Sequence, residues 1–274
     1  MDNPLSSLAY LWRRFIHGGK GEVRPTERTH MVWEECRHNR YNEARLLALA
    51  EQFRDQVHPL STVVETLMED KHWDPAMTYC DEMIRRFPHL VVGYRSKMSC
   101  LRALGRNDES EKLALSMIKR FPRSPAGGEG YAYCATYRGD WVEAERRLAQ
   151  ARRRFPRVLH VNINHASVLA RLGRPAEADE IAHEIVDMFP NDIAAWRLFG
   201  TMAEKADDWP EAAARWGLVR DRYPGLAEFH GLCAKAIRLS GRESDAKRLV
   251  DDALFVFPQD QALLAEREIL RHLP

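Results

Sequence analysis

Histidine and cysteine can bind a metal ion, and either can act as a nucleophile, so these two residue types are the first candidates for chemistry in this chain. The sequence contains eleven histidines and five cysteines. The pairs with the most suitable helical spacing are His183 with Asp187, four residues apart, and His230 with Cys233, three residues apart. A zinc site needs three or four protein ligands, and neither pair has a further candidate nearby in the sequence. The spacing therefore predicts no metal site and no cofactor.

The sequence also lacks the local patterns of a catalytic nucleophile or a phosphate-binding loop. The five cysteines are Cys36, Cys80, Cys100, Cys134 and Cys233. They are scattered, odd in number and never form a CxxC pair, which is typical of a protein from a reducing compartment. The GxxxxGK[ST] and GxSxG patterns are both missing. We therefore predict a cytoplasmic protein without enzymatic activity.

The composition is that of a soluble, folded protein without a strong overall charge. Of the 274 residues, 45% are hydrophobic and 30% are charged, and the formal net charge is +1. A near-neutral chain lacks the basic field of a general nucleic-acid binder, so we predict no nucleic-acid partner. No apolar run approaches the roughly 20 residues that a membrane-spanning helix needs. The 33 arginines against 8 lysines indicate a GC-rich, bacterial source.

A pair of residues, an aromatic followed by proline, recurs along the chain at constant spacing. The pairs are Phe87-Pro88, Phe121-Pro122, Phe155-Pro156, Phe189-Pro190, Tyr223-Pro224 and Phe257-Pro258. Successive prolines keep one 34-residue period through all five intervals. Two further sets keep the same phase, namely Gly105, Gly139, Gly173 and Gly241, and Ala76, Ala144, Ala178, Ala212 and Ala246. Three markers in one phase indicate an internal repeat that extends over most of the chain.

Each 34-residue interval has the pattern of two helices joined by a turn. In the interval between Pro190 and Pro224, apolar residues recur at helical spacing from Ile193 to Ala206. The second helix opens at Trp209-Pro210, because proline is tolerated in the first turn of a helix. It ends before Pro224, which cannot continue it. The repeat therefore predicts an all-helical chain.

These markers resemble the tetratricopeptide repeat (TPR), a 34-residue helix–turn–helix unit. In the fifth repeat, residues 193–226, the residues that fall on signature positions of this family are Trp196, Phe199, Gly200, Ala212 and Pro224. The resemblance implies an all-α fold, a right-handed α-solenoid of stacked TPR-like repeats. It divides the chain into a degenerate leading repeat at 23–56, six repeats at 57–90, 91–124, 125–158, 159–192, 193–226 and 227–260, and a capping helix at 261–274.

The resemblance also implies a concave groove, lined by the first helix of each repeat, that binds a partner protein or peptide. By the register of the family, the groove residues are Arg95, Ser99, Arg102, Glu129, Tyr133, Tyr137, His160, Asn164, Arg171, Arg197, Thr201, Glu204, Lys205, Lys235 and Arg238. Seven of them are cations and two are acids, which favours an acidic partner segment. The alternative is that these arginines and lysines are simply solvated on an exposed face.

Three glycines lie in the predicted first helix of the third repeat, at Gly127, Gly128 and Gly130. Each lowers helix stability by about 1 kcal/mol relative to alanine. Either they admit a bulky side chain of the preceding repeat, or they allow a partner to approach the backbone or the solenoid to bend. We favour the packing interpretation.

The N-terminal segment, residues 1–22, has the pattern of an amphipathic helix followed by a glycine-rich link. Its apolar positions, which could form a second contact surface, are Leu5, Leu8, Trp12, Phe15 and Ile16. Three interpretations stay open: the helix caps the first repeat, docks to a partner or a second copy of the chain, or touches a membrane surface peripherally.

Together, the repeats and the missing catalytic patterns predict a non-enzymatic adaptor or scaffold that binds a partner protein in its groove. One alternative is an accessory subunit of a separately encoded enzyme, such as a glycosyltransferase, or of envelope-polysaccharide or secretion machinery. Another is self-assembly into a homo-oligomer. We expect a cytoplasmic location, with membrane contact limited to the N-terminal helix.

Overall fold

The computed structural model describes residues 27–272, and in this part of the chain every regular element is a helix. The fifteen helices of this region are α1 (Glu27–His38), α2 (Glu43–Gln52), α3 (His58–Glu69), α4 (Trp73–Arg86), α5 (Val91–Ala103), α6 (Asn107–Arg120), α7 (Ala126–Tyr137), α8 (Trp141–Arg154), α9 (Leu159–Arg171), α10 (Pro175–Met188), α11 (Ile193–Lys205), α12 (Trp209–Arg222), α13 (Ala227–Leu239), α14 (Glu243–Val256) and α15 (Gln261–Arg271). They occur as pairs at the predicted 34-residue spacing. The predicted N-terminal amphipathic helix lies outside the described residues.

The chain forms two compact units, with the boundary between Leu104 and Gly105. The boundary falls at the turn of the second predicted repeat, so that α5 belongs to the first unit and α6 to the second. Within each unit, helices that are consecutive along the chain pack against each other. The all-helical fold with successive helix pairs confirms the predicted fold class.

In the first unit, the degenerate leading repeat is a helix pair that shares its core with the next pair. Buried Leu46 and Leu49 of α2 pack with Val63 of α3. Arg86 reinforces this contact, since its Nη1 donates to the backbone oxygen of Ala50 at 3.0 Å. The unit therefore continues the repeat pattern towards the N-terminus, although the aromatic–proline marker is missing there.

The turns between the two helices of a pair need a residue in the left-handed backbone region. The four marker glycines have φ between 72° and 81°, as a turn that closes a helix requires. Lys71 and Asp207 occupy the same position in two other repeats with φ of 62° and 54°. A side chain with a Cβ is strained in this region, so these two turns are less favourable than the glycine turns.

Helix starts are fixed by side-chain caps and by proline. The carboxylates of Asp140 and Asp208 accept hydrogen bonds from the backbone N–H groups of Glu143 and Glu211. Each cap satisfies one of the backbone donors that the first helical turn leaves without a partner. Pro210 follows Asp208 in the first turn of α12, as the sequence predicted.

Close helix packing depends on small residues in the second helix of each pair. The marker alanines are fully buried, as predicted, and Ser110 replaces alanine in the second repeat with equal burial. Ser110 accepts a contact from the thiol of Cys134, whose sulfur lies 3.4 Å from the hydroxyl oxygen. Cys134 and Cys100, which share one position of adjacent repeats, are both fully buried.

The repeats are of two alternating kinds, a feature that the sequence analysis of single markers missed. Every second repeat starts its second helix with tryptophan, at Trp73, Trp141 and Trp209. The other repeats have an arginine just before that helix, at Arg106, Arg174 and Arg242. Each of these arginines hydrogen-bonds to the carboxylate three residues later. The structural period of the chain is therefore two repeats.

Packing explains one of the three glycines of α7, Gly127. A Cβ added at Gly127 would lie 2.7 Å from the backbone nitrogen of Ile118, so only glycine lets α6 and α7 approach this closely. At Gly128 the nearest atom is the Cβ of Ala151 at 3.4 Å, an ordinary contact. The packing interpretation is therefore confirmed at Gly127, whereas Gly128 is not required by space.

The contact between Gly200 and Trp216 gives a test of how closely the helices must approach. A Cβ at Gly200 would lie 2.6 Å from the ring of Trp216, which is 1% exposed and has no room to move. We expect Gly200→Ala to lower the free energy of unfolding by about 1–3 kcal/mol, measured by urea titration. Gly217 is the matched control, since no atom lies within 4 Å of its added Cβ. Gly217→Ala should raise that free energy by about 0.5–1 kcal/mol, and an equal loss in both variants would contradict the packing argument.

Candidate functional site

The predicted groove residues of the first unit lie on α5. Arg102 and Ser99 are one helical turn apart, and the Nη2 of Arg102 donates to the hydroxyl oxygen of Ser99 at 3.0 Å. Arg95 lies one turn earlier on the same helix and is half-buried. The three residues therefore share one side of α5.

In the second unit, the first helices of successive pairs contact each other through their side chains. We call the side chains that α7, α9, α11, α13 and α15 present to one another and to solvent the first-helix face. Helix α9 packs on α11, and α13 packs on α15. The predicted groove residues of the second unit all belong to these helices.

A polar network joins α7 to α9 and is centred on a buried carboxylate. Glu129 is 6% exposed, and its Oε2 lies 2.8 Å from the Nε2 of His160. The amide nitrogen of Asn164 donates to Glu129 Oε1 at 3.3 Å and to the hydroxyl oxygen of Tyr133 at 2.9 Å. A buried carboxylate needs such donors, because burial without partners would cost several kcal/mol. Four of the predicted groove residues are thus brought together.

Two ion pairs join α11 to α13 at the same separation along the chain. Arg197 forms a bidentate pair with Glu228, with 2.8 Å between Nη2 and Oε2. The Nζ of Lys235 lies 3.1 Å from Oε2 of Glu204, whose other oxygen accepts a hydrogen bond of 2.7 Å from the indole of Trp216. These pairs and the His160 and Tyr133 contacts all join residues 31 positions apart. One contact geometry therefore recurs with different chemistry.

The last first-helix contact joins α13 to the capping helix α15. Arg238 Nε donates to Glu266 Oε1 at 2.5 Å, and Nη2 lies 3.3 Å from Oε2. Glu266 is 6% exposed, so the pair is largely removed from water. The groove residues predicted from the sequence did not include the acids Glu228 and Glu266. Glu228 follows Arg197 by 31 residues, the separation of the other contacts, so this spacing was a usable signal. Three cations of the predicted groove are thus neutralised within the protein.

Three other predicted groove residues, Tyr137, Arg171 and Lys205, are exposed to solvent. The guanidinium carbon of Arg171 lies 4.0 Å from the ring centre of Trp141, a cation–π contact that holds the side chain over the indole. Within residues 27–272, neither Arg171 nor Lys205 has a carboxylate at salt-bridge distance. Thr201 differs from them, since its hydroxyl donates to the backbone oxygen of Arg197 at 2.8 Å.

On the second helices, two arginines at equivalent positions are buried and fully engaged. Arg147 is 6% exposed and donates to Glu111, to Glu143 and to the backbone oxygen of Tyr131, at 2.6, 2.7 and 2.7 Å. Its guanidinium carbon lies 3.5 Å from the centre of the Tyr131 ring. Nothing in the sequence distinguishes this residue from the neighbouring Arg146, whose side chain is 60% exposed. Its burial follows from the closed set of acceptors around it.

Arg215 has the same arrangement two repeats further along the chain. It pairs with Asp179 and Glu211 and donates to the backbone oxygen of Phe199, at 3.0, 2.8 and 3.1 Å. The guanidinium carbon lies 4.4 Å from the centre of the Phe199 ring. The hydrogen bond from Arg215 lowers the pKa of Asp179, although burial acts in the opposite direction. We call Arg147, Arg215 and their partners the arginine clamps.

His183 and His230, the two candidate metal-binding histidines of the sequence, have other contacts in the structure. His183 contacts Asp179 rather than the sequence-predicted Asp187, and His230 contacts the backbone oxygen of Pro224. Between residues 27 and 272, no three histidine, cysteine or acidic side chains converge on a position for a metal ion. Burial, with a smaller contribution from neighbouring Glu35, raises the pKa of Cys36 to about 12, which keeps that thiol protonated. None of the helices of this region has the length and apolar character of a membrane span.

No model of a known protein family matches the chain, and no curated protein matches its sequence. Solved structures of similar fold exist at low sequence identity. PilW, a widely conserved type IV pilus biogenesis factor, has a TM-score of 0.57 at 15% identity, over 75% of this chain and 96% of that one. A tetratricopeptide repeat protein from Parabacteroides merdae ATCC 43184 has a TM-score of 0.54 at 11% identity, over 88% and 100%. YrrB, a TPR protein with an unusual peptide-binding site, has a TM-score of 0.50 at 16% identity, over 69% and 97%. The likeness confirms the predicted fold, and the chain folds as tetratricopeptide repeats.

The arginine clamps allow a paired test of buried and exposed ion pairs. Arg146 and Arg147 both bond to Glu143, but their side chains are 60% and 6% exposed. We expect Arg147→Ala to cost about 2 kcal/mol, because it removes one of the two arginines that bond to the partly buried Glu111 and leaves the backbone oxygen of Tyr131 without this donor. Arg146→Ala should cost less than about 0.5 kcal/mol. Urea titration with amide hydrogen exchange in α8 measures both, and similar losses would contradict a special role of the clamp.

Proposed function

We propose that the chain is a non-enzymatic scaffold that binds an extended segment of a partner protein along the first-helix face of the second unit. The observation that carries this proposal is a recurring contact between residues 31 positions apart, which holds polar side chains of successive first helices in fixed positions. Side chains that are already ordered lose little conformational freedom when a ligand binds, so pre-organisation favours binding.

The repeat arrangement of the second unit suits an extended ligand rather than a small molecule. Each repeat presents the same positions of its first helix, so that contacts for a ligand recur at regular intervals along the stack. Tyr133, His160 and Asn164 supply donors and acceptors, and the exposed Tyr137 adds rigid aromatic area. The buried carboxylates keep further acceptor capacity, since each oxygen has two lone pairs.

A protein partner agrees with the chemistry of the described residues better than catalysis does. The ionisable groups of the first-helix face are largely joined to one another in pairs, and among residues 27–272 no three histidine, cysteine or acidic side chains converge on a position for a metal ion. YrrB, which has a related fold, is a TPR protein with a peptide-binding site. The buried free cysteines favour a reducing compartment, so we propose that the protein acts in the cytoplasm.

Site-specific photo-cross-linking tests the proposal at the first-helix face. Ser167 is exposed on α9, one turn before Arg171, and accepts a benzoylphenylalanine without disturbing the core. In the living host we expect irradiation to cross-link this position to a partner protein, which mass spectrometry of the cross-linked peptides identifies. The control position is Val142 on the second helix α8, which is 71% exposed.

The proposal requires a partner cross-linked at Ser167 that is absent or much weaker at Val142. Cross-linking of the same protein from both positions would contradict a specific face, and so would cross-linking from Val142 alone. A separately encoded enzyme as the cross-linked protein would identify the chain as its accessory subunit. Cross-links to the chain itself would support self-assembly instead.

A further inference from the structure

Several cations of the first-helix face of the second unit are paired with carboxylates of the protein and are not available to bind a ligand. Arg197, Lys235 and Arg238 are each neutralised by a carboxylate of the neighbouring first helix. Arg171 and Lys205 are exposed and have no such carboxylate among the described residues. Among the predicted groove cations of this unit, the positive charge available to a ligand is therefore concentrated at these two residues.

These two cations occupy the same structural position in adjacent repeats. Arg171 is the last residue of α9 and Lys205 is the last residue of α11. The same position is Tyr137 at the end of α7 and Leu239 at the end of α13, which are 47% and 40% exposed. We call these four residues the terminal row. It has two cations in the middle and an apolar or aromatic residue at each end.

The environment of the two cations leaves them accessible to an anion. Arg171 is held over the Trp141 ring, a geometry that leaves the edge of the guanidinium, with its N–H donors, able to bind a carboxylate. The acids Asp207 and Asp208 lie in the turn that follows Lys205, and the carboxylate of Asp208 caps α12. Glu204, the residue before Lys205, is bound to Lys235 and Trp216.

We propose that the terminal row recognises an acidic partner segment, with carboxylates at Arg171 and Lys205 and apolar side chains at Tyr137 and Leu239. The proposal rests on the proposed function and specifies its ligand. Packed helices lie about 8–10 Å apart, and an extended chain advances about 3.3 Å per residue. One contact per repeat therefore corresponds to about three residues of the ligand, in the order apolar, acidic, acidic, apolar.

A purely structural role of the two cations predicts a different outcome. A positive side chain at the C-terminal end of a helix stabilises the helix dipole, so both residues would contribute to stability without any ligand. That role would lower the thermal stability of variants and would leave no preference between acidic and neutral peptides. Binding selectivity is therefore the measurement that separates the two roles.

The test uses the full chain and a pair of fluorescein-labelled peptides, measured by fluorescence anisotropy. One peptide has two glutamates three residues apart with a leucine three residues outside each of them, in a serine background. The other has glutamine in place of both glutamates. At low salt we expect the chain to bind the glutamate peptide about tenfold more tightly, because two charge-assisted contacts are gained. The Arg171→Glu/Lys205→Glu variant should lose this preference.

The control variant is Arg153→Glu/Arg157→Glu, which changes two exposed arginines away from the first-helix face and alters the net charge by the same amount. It should keep the preference, and circular dichroism should show all variants folded. Equal binding of both peptides, no binding, or equal loss in both variants would overturn the proposal. Binding of a labelled oligothymidylate through Arg171 and Lys205, without the glutamate preference, would overturn it in favour of nucleic acid.

Photo-cross-linking from Ser167 distinguishes failure of this proposal from failure of the proposed function. If the partner is still cross-linked in the Arg171→Glu/Lys205→Glu variant, the face binds a partner but the terminal row does not select it. If cross-linking is missing in the unaltered chain as well, the scaffold function itself is wrong. Loss of cross-linking in that variant, but not in the control, supports both.

Discussion

Close approach of neighbouring helices is the constraint on which the rest of this structure depends. A single helix pair cannot bury its apolar side alone, so neighbouring pairs within each unit pack on one another. The approach is possible only where a small residue stands, as at the fully buried Ala212 and at Gly200 against the Trp216 ring. With an invariant 34-residue spacing, each pair repeats this contact, and the positions that face the next pair become fixed.

This packing also decides where charged residues can lie. When two first helices meet, residues 31 positions apart come within reach, and the chain fills these positions with complementary groups such as Arg197 and Glu228. On the second helices, Arg147 and Arg215 each bond to an acid 36 positions earlier in the chain, Glu111 and Asp179 respectively. Pairs of this kind add little net stability when compared with apolar packing, but a missing partner would be costly. They fix the register of one repeat on the next.

The sequence predicted the helices, turns and small packing positions well, because each of these depends on local residue types. Proline, glycine in the left-handed region and alanine at the contact have the same effect in every repeat. The pairing of charges was not predictable in the same way, since it depends on which side chains meet between repeats. Arg197 was predicted to bind a partner, yet it pairs with Glu228, and nothing in the sequence predicted the burial of Arg147. The terminal residues of the chain contribute nothing to this comparison, because they lie outside the described part.

Some positions of the repeat are constrained by packing and others are not, which explains how one fold combines a fixed framework with a variable surface. The packing position has alanine in five of the six clear repeats and serine in the other, and it is fully buried in all six, so only a small residue occurs there. The terminal row, by contrast, contains an aromatic residue, two different cations and an aliphatic residue at one structural position. A position that packing constrained would not tolerate Tyr137, Arg171 and Leu239 alike. Freedom from packing is what allows the choice of residue there to be set by a ligand.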